Sequence, residues 1–149
     1  MDNTKAISTL NSLIETLKDG QEGFRTAAEG LTDPQTKAVF EQYSRERAQM
    51  AQELQAEVRA LGGDPEKAGS MSGSVHRGWI NIKSVVTGKN DASIIAEAER
   101  GEDVAKKAYE EASRAGLPAS ASAVVSRQAI QVRSAHDRVR SMERAVSAH

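Results

Sequence analysis

The chain contains no cysteine. That excludes disulfides, thiolate metal ligands and a cysteine nucleophile, and it suits a reducing cytoplasmic setting. Aromatic residues are scarce at 3% of the chain, with a single Trp, and alternating β-branched runs are rare. An excess of one charge sign is also lacking: 20 basic and 21 acidic residues leave a formal charge of −1. No global basic field therefore draws the chain to nucleic acid or to an anionic membrane, and neither partner is expected. No apolar run reaches the roughly 18 residues that a membrane span requires. The opening MDNTKAISTLN has no basic stretch followed by an apolar one, so it is not expected to act as a signal peptide.

What the chain does have is helix-forming composition. Alanine, glutamate, arginine and glutamine dominate, and 149 residues at 38% apolar content can fill the core of one domain. Ile7, Leu10, Ile14, Leu17, Phe24 and Ala28 recur near the helical period and predict a helix over 3–30. Asp33-Pro34 reads as an N-cap followed by a first helical residue. A second helix over 34–61 turns Phe40, Tyr43, Met50, Leu54 and Val58 inward and stops at Gly62-Gly63. The crossover 62–90 is rich in Gly and Ser at 69–74, and VHRGWINIKSVVTG at 75–88 reads as a short helix or an extended segment. Two more helices are predicted over 91–115 and 118–145, separated by Gly116 and Pro118.

Link lengths constrain the topology. Links of a few residues make the first pair antiparallel and the last pair antiparallel. The crossover between them is roughly 28 residues, and a helix of about 25 residues is about 37 Å long, so the crossover can travel a whole helix length. The third long helix can then run parallel to the second, as in ferritin-like bundles.

On helical wheels at about 100° per residue, several polar residues fall inside the apolar stripes. They are Gln21, Arg47, Glu102, Gln128 and His136. Glu97 and Glu99 fall at the flanks of the third long helix, Asp103 faces out, and Glu46, Glu53 and Glu57 border the stripe of the second. His136 and Asp137 diverge by about 100° and are not expected to face each other. Gathered at mid-height, Gln21, Arg47, Glu102 and His136 would form one polar layer, and buried charge needs a partner or a metal.

A di-metal carboxylate centre takes one Glu from each of two helices and Glu-x-x-His from each of the other two. Here the second helix offers Glu46 with Gln49 where His is needed, and the fourth offers His136 with Arg133 where Glu is needed. The reading this favours is a salt-bridge layer, with Arg47 on Glu102 and His136 on a carboxylate or Gln. The alternative is an iron or manganese site drawn from Glu102, His136, Glu46, Glu53 and Glu99; otherwise no cofactor is expected.

Five ordered stretches carry a resemblance: LNSLIETLKDGQEGF (10–24), ELQAEVRALGGDPEKAGS (53–70), HRGW (76–79), AERGEDVAKKAY (98–109) and HDRVR (136–140). Together they resemble a bacterial family of ferritin-like four-helix-bundle proteins that carries a domain-of-unknown-function label. The resemblance implies an up-down-down-up bundle, cytoplasmic and oligomeric, and it implies no reaction. His76, Arg77 and Trp79 have two readings, an interaction patch or, preferably, an anchor of the crossover against the bundle through Trp79. The expectation is a non-enzymatic, structural or stress-associated protein that self-associates or binds a protein partner.

Overall fold

The computed structural model describes residues 3–65 and 78–147. His76 and Arg77 lie outside the described residues. Among those described the architecture is all-helical: α1 (Asn3–Gly30), α2 (Pro34–Ala60), α3 (Ile82–Thr87), α4 (Asp91–Ser113) and α5 (Ala119–Ser147). None of these helices is long and apolar enough to cross a membrane.

The helix ends follow local chemistry. Asp33 sits in extended backbone and accepts from the Thr36 amide, and Pro34 opens α2, where its missing N–H costs nothing. Asn90 caps α4 through the Ser93 amide. Asp91 in the first turn of α4 reaches the α1–α2 corner and accepts from Thr32 N at 2.9 Å, Thr32 Oγ1 at 3.0 Å and Asp33 N at 3.0 Å. The C-terminal end of α1 is thereby tied to the N-terminal end of α4.

α1 packs on α2 and α4, α5 packs on α4 and α2, and the short α3 packs on α1 and α4. The buried side chains form two clusters. One holds Leu10, Leu13, Ile14, Leu17, Met50, Leu54, Val58, Tyr109, Val125 and Val132. The other holds Phe24, Phe40, Tyr43, Trp79, Ile82, Ile94, Ile95 and Val139. Along α2, Arg47 falls between Tyr43 and Met50; along α4, Glu102 falls between Ala98 and Ala105. The seam between the two apolar clusters is where Arg47 and Glu102 sit.

Candidate functional site: a buried ion pair and a tryptophan slot

At the seam, Arg47 Nη2 donates to Glu102 Oε2 at 2.7 Å, and both side chains are buried. Burial alone would pull the guanidinium down, but the charge and hydrogen bond of Glu102 leave it above its ordinary value. The Arg47 guanidinium also lies 5.4 Å from the centre of the Phe24 ring, a cation–π distance. Gly20 of α1 faces the arginine, and a Cβ there would stand only 3.1 Å from Nη1. Arg47 Nη1 and Glu102 Oε1 are buried without a hydrogen-bond partner among the described residues.

The other predicted layer residues go elsewhere. Gln21 is only partly buried, and it is its backbone carbonyl that accepts from Ser44 Oγ at 2.8 Å. The buried face of α1 centres between Leu17 and Gly20, which leaves Gln21 at its edge. Gln128 lies two turns from His136 and joins a second network. Its Oε1 accepts from the Tyr109 hydroxyl at 2.7 Å, while Nε2 donates to Met50 O at 3.2 Å and Glu53 Oε1 at 3.0 Å. Burial pushes the Tyr109 phenol far up, so it stays a neutral donor. His136 turns to the edge of the bundle, with Nε2 2.6 Å from Asp103 and Nδ1 3.2 Å from Asp137. The divergence of adjacent helix positions does not keep His136 and Asp137 apart, because the aspartate side chain bends back to the ring. One layer is therefore three separate networks.

These contacts also engage most of the candidate metal donors. Glu102 faces Arg47, Glu53 is engaged by Arg127 at 2.7 Å and by Gln128, and Glu46 accepts from Gln42 at 2.9 Å. Glu99 Oε2 is buried without a hydrogen-bond partner among the described residues. Among those residues no three of His, Asp and Glu are grouped so as to hold a metal ion. With the donors apart and an arginine held on Glu102 that repels a cation there, they do not fit a di-metal centre.

Trp79 is 2% exposed and does not form a surface patch. Its indole lies in a slot between α1 and α4. A Cβ built on Gly23 or on Gly101 would overlap the ring, and both glycines lie nearest its fusion atoms Cδ2 and Cε2. Phe24 meets the indole edge-on, with centroids 4.9 Å apart. Gly78, at φ +76°, lets the chain approach the Gly101 backbone on the way in. The docked segment covers one flank of α4, which explains why Glu97 is fully buried rather than marginal. Glu97 accepts from the Asn81 amide at 2.6 Å and from Arg100 Nε at 2.9 Å. Wheel reasoning missed Glu97 because the group that buries it belongs to the crossover. The glycines at 23 and 101, each inside a strong helical pattern, were the available signal.

Residues 5–115 match a domain of unknown function, DUF2383. The chain belongs to this family. A comparison with curated proteins found no match. The DUF2383 match spans α1 to α4 and ends before α5. Arg47, Glu97, Glu102, Trp79 and the slot glycines lie within the matched part, whereas Gln128 and His136 lie beyond it.

Proposed function

We propose that this DUF2383 protein is a non-enzymatic, ferritin-like bundle of the bacterial cytoplasm that acts by self-association or by binding a protein partner. In this reading a buried polar seam stands where a metal centre would lie. The observation that carries it is the Arg47–Glu102 ion pair, which holds a fixed cation against Glu102, the inward carboxylate of the candidate ligand set.

The end contacts support an up-down-down-up order. Asp91 ties the start of α4 to the end of α1, and Arg127–Glu53 joins the early part of α5 to the later half of α2. Short links at 31–33 and 114–118 supply the remaining antiparallel pairs.

One observation favours a second reading, a weak iron or manganese site: Glu99 Oε2 and Glu102 Oε1 are buried acceptors without partners among the described residues. Elemental analysis of protein purified from iron- and manganese-supplemented cells, run with sedimentation velocity, separates the two. Self-association or binding with substoichiometric metal supports the first reading. Stoichiometric metal that disappears in Glu102→Ala, accompanied by ferrous oxidation, replaces it with the second.

A further inference from the structure

α5 carries a large apolar side chain on its outside. Its inward stripe runs through Val125, Gln128, Val132, Ala135 and Val139. Ile130 falls about 160° from Val132 on the wheel, away from the core, and is 71% exposed. A single exposed isoleucine needs no explanation. This one borders a groove of about 500 Å³ between α4 and α5, with Ala129 and the Tyr109 ring as further apolar lining. That volume falls within the roughly 300–1,000 Å³ usual for a site that holds part of another molecule.

The charges around the groove do not balance. Lys106, Arg114 and Arg133 line it together with one acid, Glu110. Glu110 meets Arg133 only at 3.9 Å, with both side chains exposed, so that pair neutralises little. The side chains of Lys106 and Arg114 have no ion-pair partner among the described residues. The chain as a whole carries −1, so the positive excess is local to this face. Two copies of the face laid together would oppose their excess cations, so the groove does not complement itself. What complements it is apolar over Ile130 and acidic at its margins. Lys106 and Arg114 stand about 12 Å apart along α4, the length of roughly two helical turns, which suits a helix laid in the groove with two apolar anchors one turn apart.

We propose that the α4–α5 groove docks an acidic amphipathic helix of a partner protein, whose apolar face covers Ile130 and whose marginal carboxylates meet Lys106, Arg114 and Arg133. The proposal rests on the reading that this protein acts by binding a partner, and it names the surface and the chemistry of that partner. The apolar contact supplies the anchor, and the exposed cations select the sign of the partner and speed its approach in a salt-dependent way.

Fluorescence anisotropy on the full chain tests this with two labelled helical peptides as probes, both with a leucine face, one margined by glutamates and one by lysines. The glutamate peptide binds saturably and the lysine peptide at least tenfold more weakly, and raising the salt narrows the difference. Ile130→Asp weakens the glutamate peptide at least tenfold, while Ile80→Asp, at the other exposed isoleucine, leaves it unchanged. Lys106→Glu with Arg114→Glu reverses the preference between the two peptides. All of these positions are at the surface or its margin, and circular dichroism confirms that each variant is folded. A glutamate peptide that does not bind, or that binds equally well after Ile130→Asp, overturns the proposal. So does Ile130-dependent binding to vesicles of anionic lipid in place of the peptide. Sedimentation velocity separates this failure from failure of the broader reading: self-association that Ile130→Asp abolishes puts a second copy in the groove, which overturns the acidic partner and leaves the binding role standing.

Discussion

Arg47 on α2 and Glu102 on α4 meet at 2.7 Å with side-chain exposures of 3% and 0%. They lie 55 residues apart in sequence and at the boundary of two apolar clusters. Neither charge is close to water, so each depends on the other: desolvating one ion costs several kcal/mol, and only a close, hydrogen-bonded partner offsets it. The pair therefore contributes little net stability against an apolar substitute. What it does is penalise every arrangement of α2 and α4 that separates the two groups. In this account it sets the register of the bundle.

The Gln128 network is predicted to matter for stability nearly as much as a large core side chain. Gln128→Leu leaves the Tyr109 hydroxyl, the Met50 carbonyl and one Glu53 oxygen without that partner. The expected loss is about 2–3 kcal/mol in urea denaturation, because buried polar groups are stranded. Tyr109→Phe removes one donor only and is expected to cost about 1 kcal/mol.

Acid is predicted to weaken the fold through depressed carboxylates. The hydrogen bond from Arg127, helped by Gln128 and against a smaller effect of burial, holds Glu53 below its ordinary value of 4.5. Hydrogen bonds from the Thr36 side chain and amide hold Asp33 below 3.8. A group with a lowered folded value gives its stability above the unfolded value and loses it as pH falls through the folded one. The difference in urea midpoint between wild type and Glu53→Gln should thus be constant from about pH 7 to about 5.5 and shrink below about 4.5. A difference that grows on acidification contradicts the assignment.

Gly101 is predicted to tolerate no side chain while Trp79 is present. Gly101→Ala forces a methyl into the indole and should cost at least about 1–3 kcal/mol by overpacking, despite alanine's better helix propensity. In a Trp79→Ala background the same change should be neutral or stabilising. A penalty that persists without the indole means that another neighbour, such as the Gly78 backbone, limits the site; the two-background comparison of denaturation midpoints reads this directly.

Much of the architecture was legible along the chain because its signals are local. Asp33-Pro34 marks the start of α2 and Gly62-Gly63 marks its end; Leu10, Ile14 and Leu17 mark the inward face of α1. Arg47 and Glu102 stood out as charges within apolar stripes, and both are buried. What was not legible has other causes. The half-buried Gln21 stands at the edge of a face that centres nearer Gly20, a phase difference smaller than one residue of the wheel. Asp103 faces out as the wheel has it, and what the wheel did not give is that its side chain still reaches the buried imidazole of His136. Glu97 is buried by a strap that approaches from a distant part of the chain. A residue's own helix does not record what another segment lays over it.

The central claim is that the seam is an ion pair whose members depend on each other, and a double-mutant cycle on Arg47 and Glu102 tests it most directly. Arg47→Met and Glu102→Leu should each cost about 3–5 kcal/mol in urea denaturation, since each strands a buried charge. The double variant should recover most of that loss, giving a coupling of at least about 2 kcal/mol. Single losses that simply add, or a Glu102→Leu protein as stable as wild type, would contradict the account.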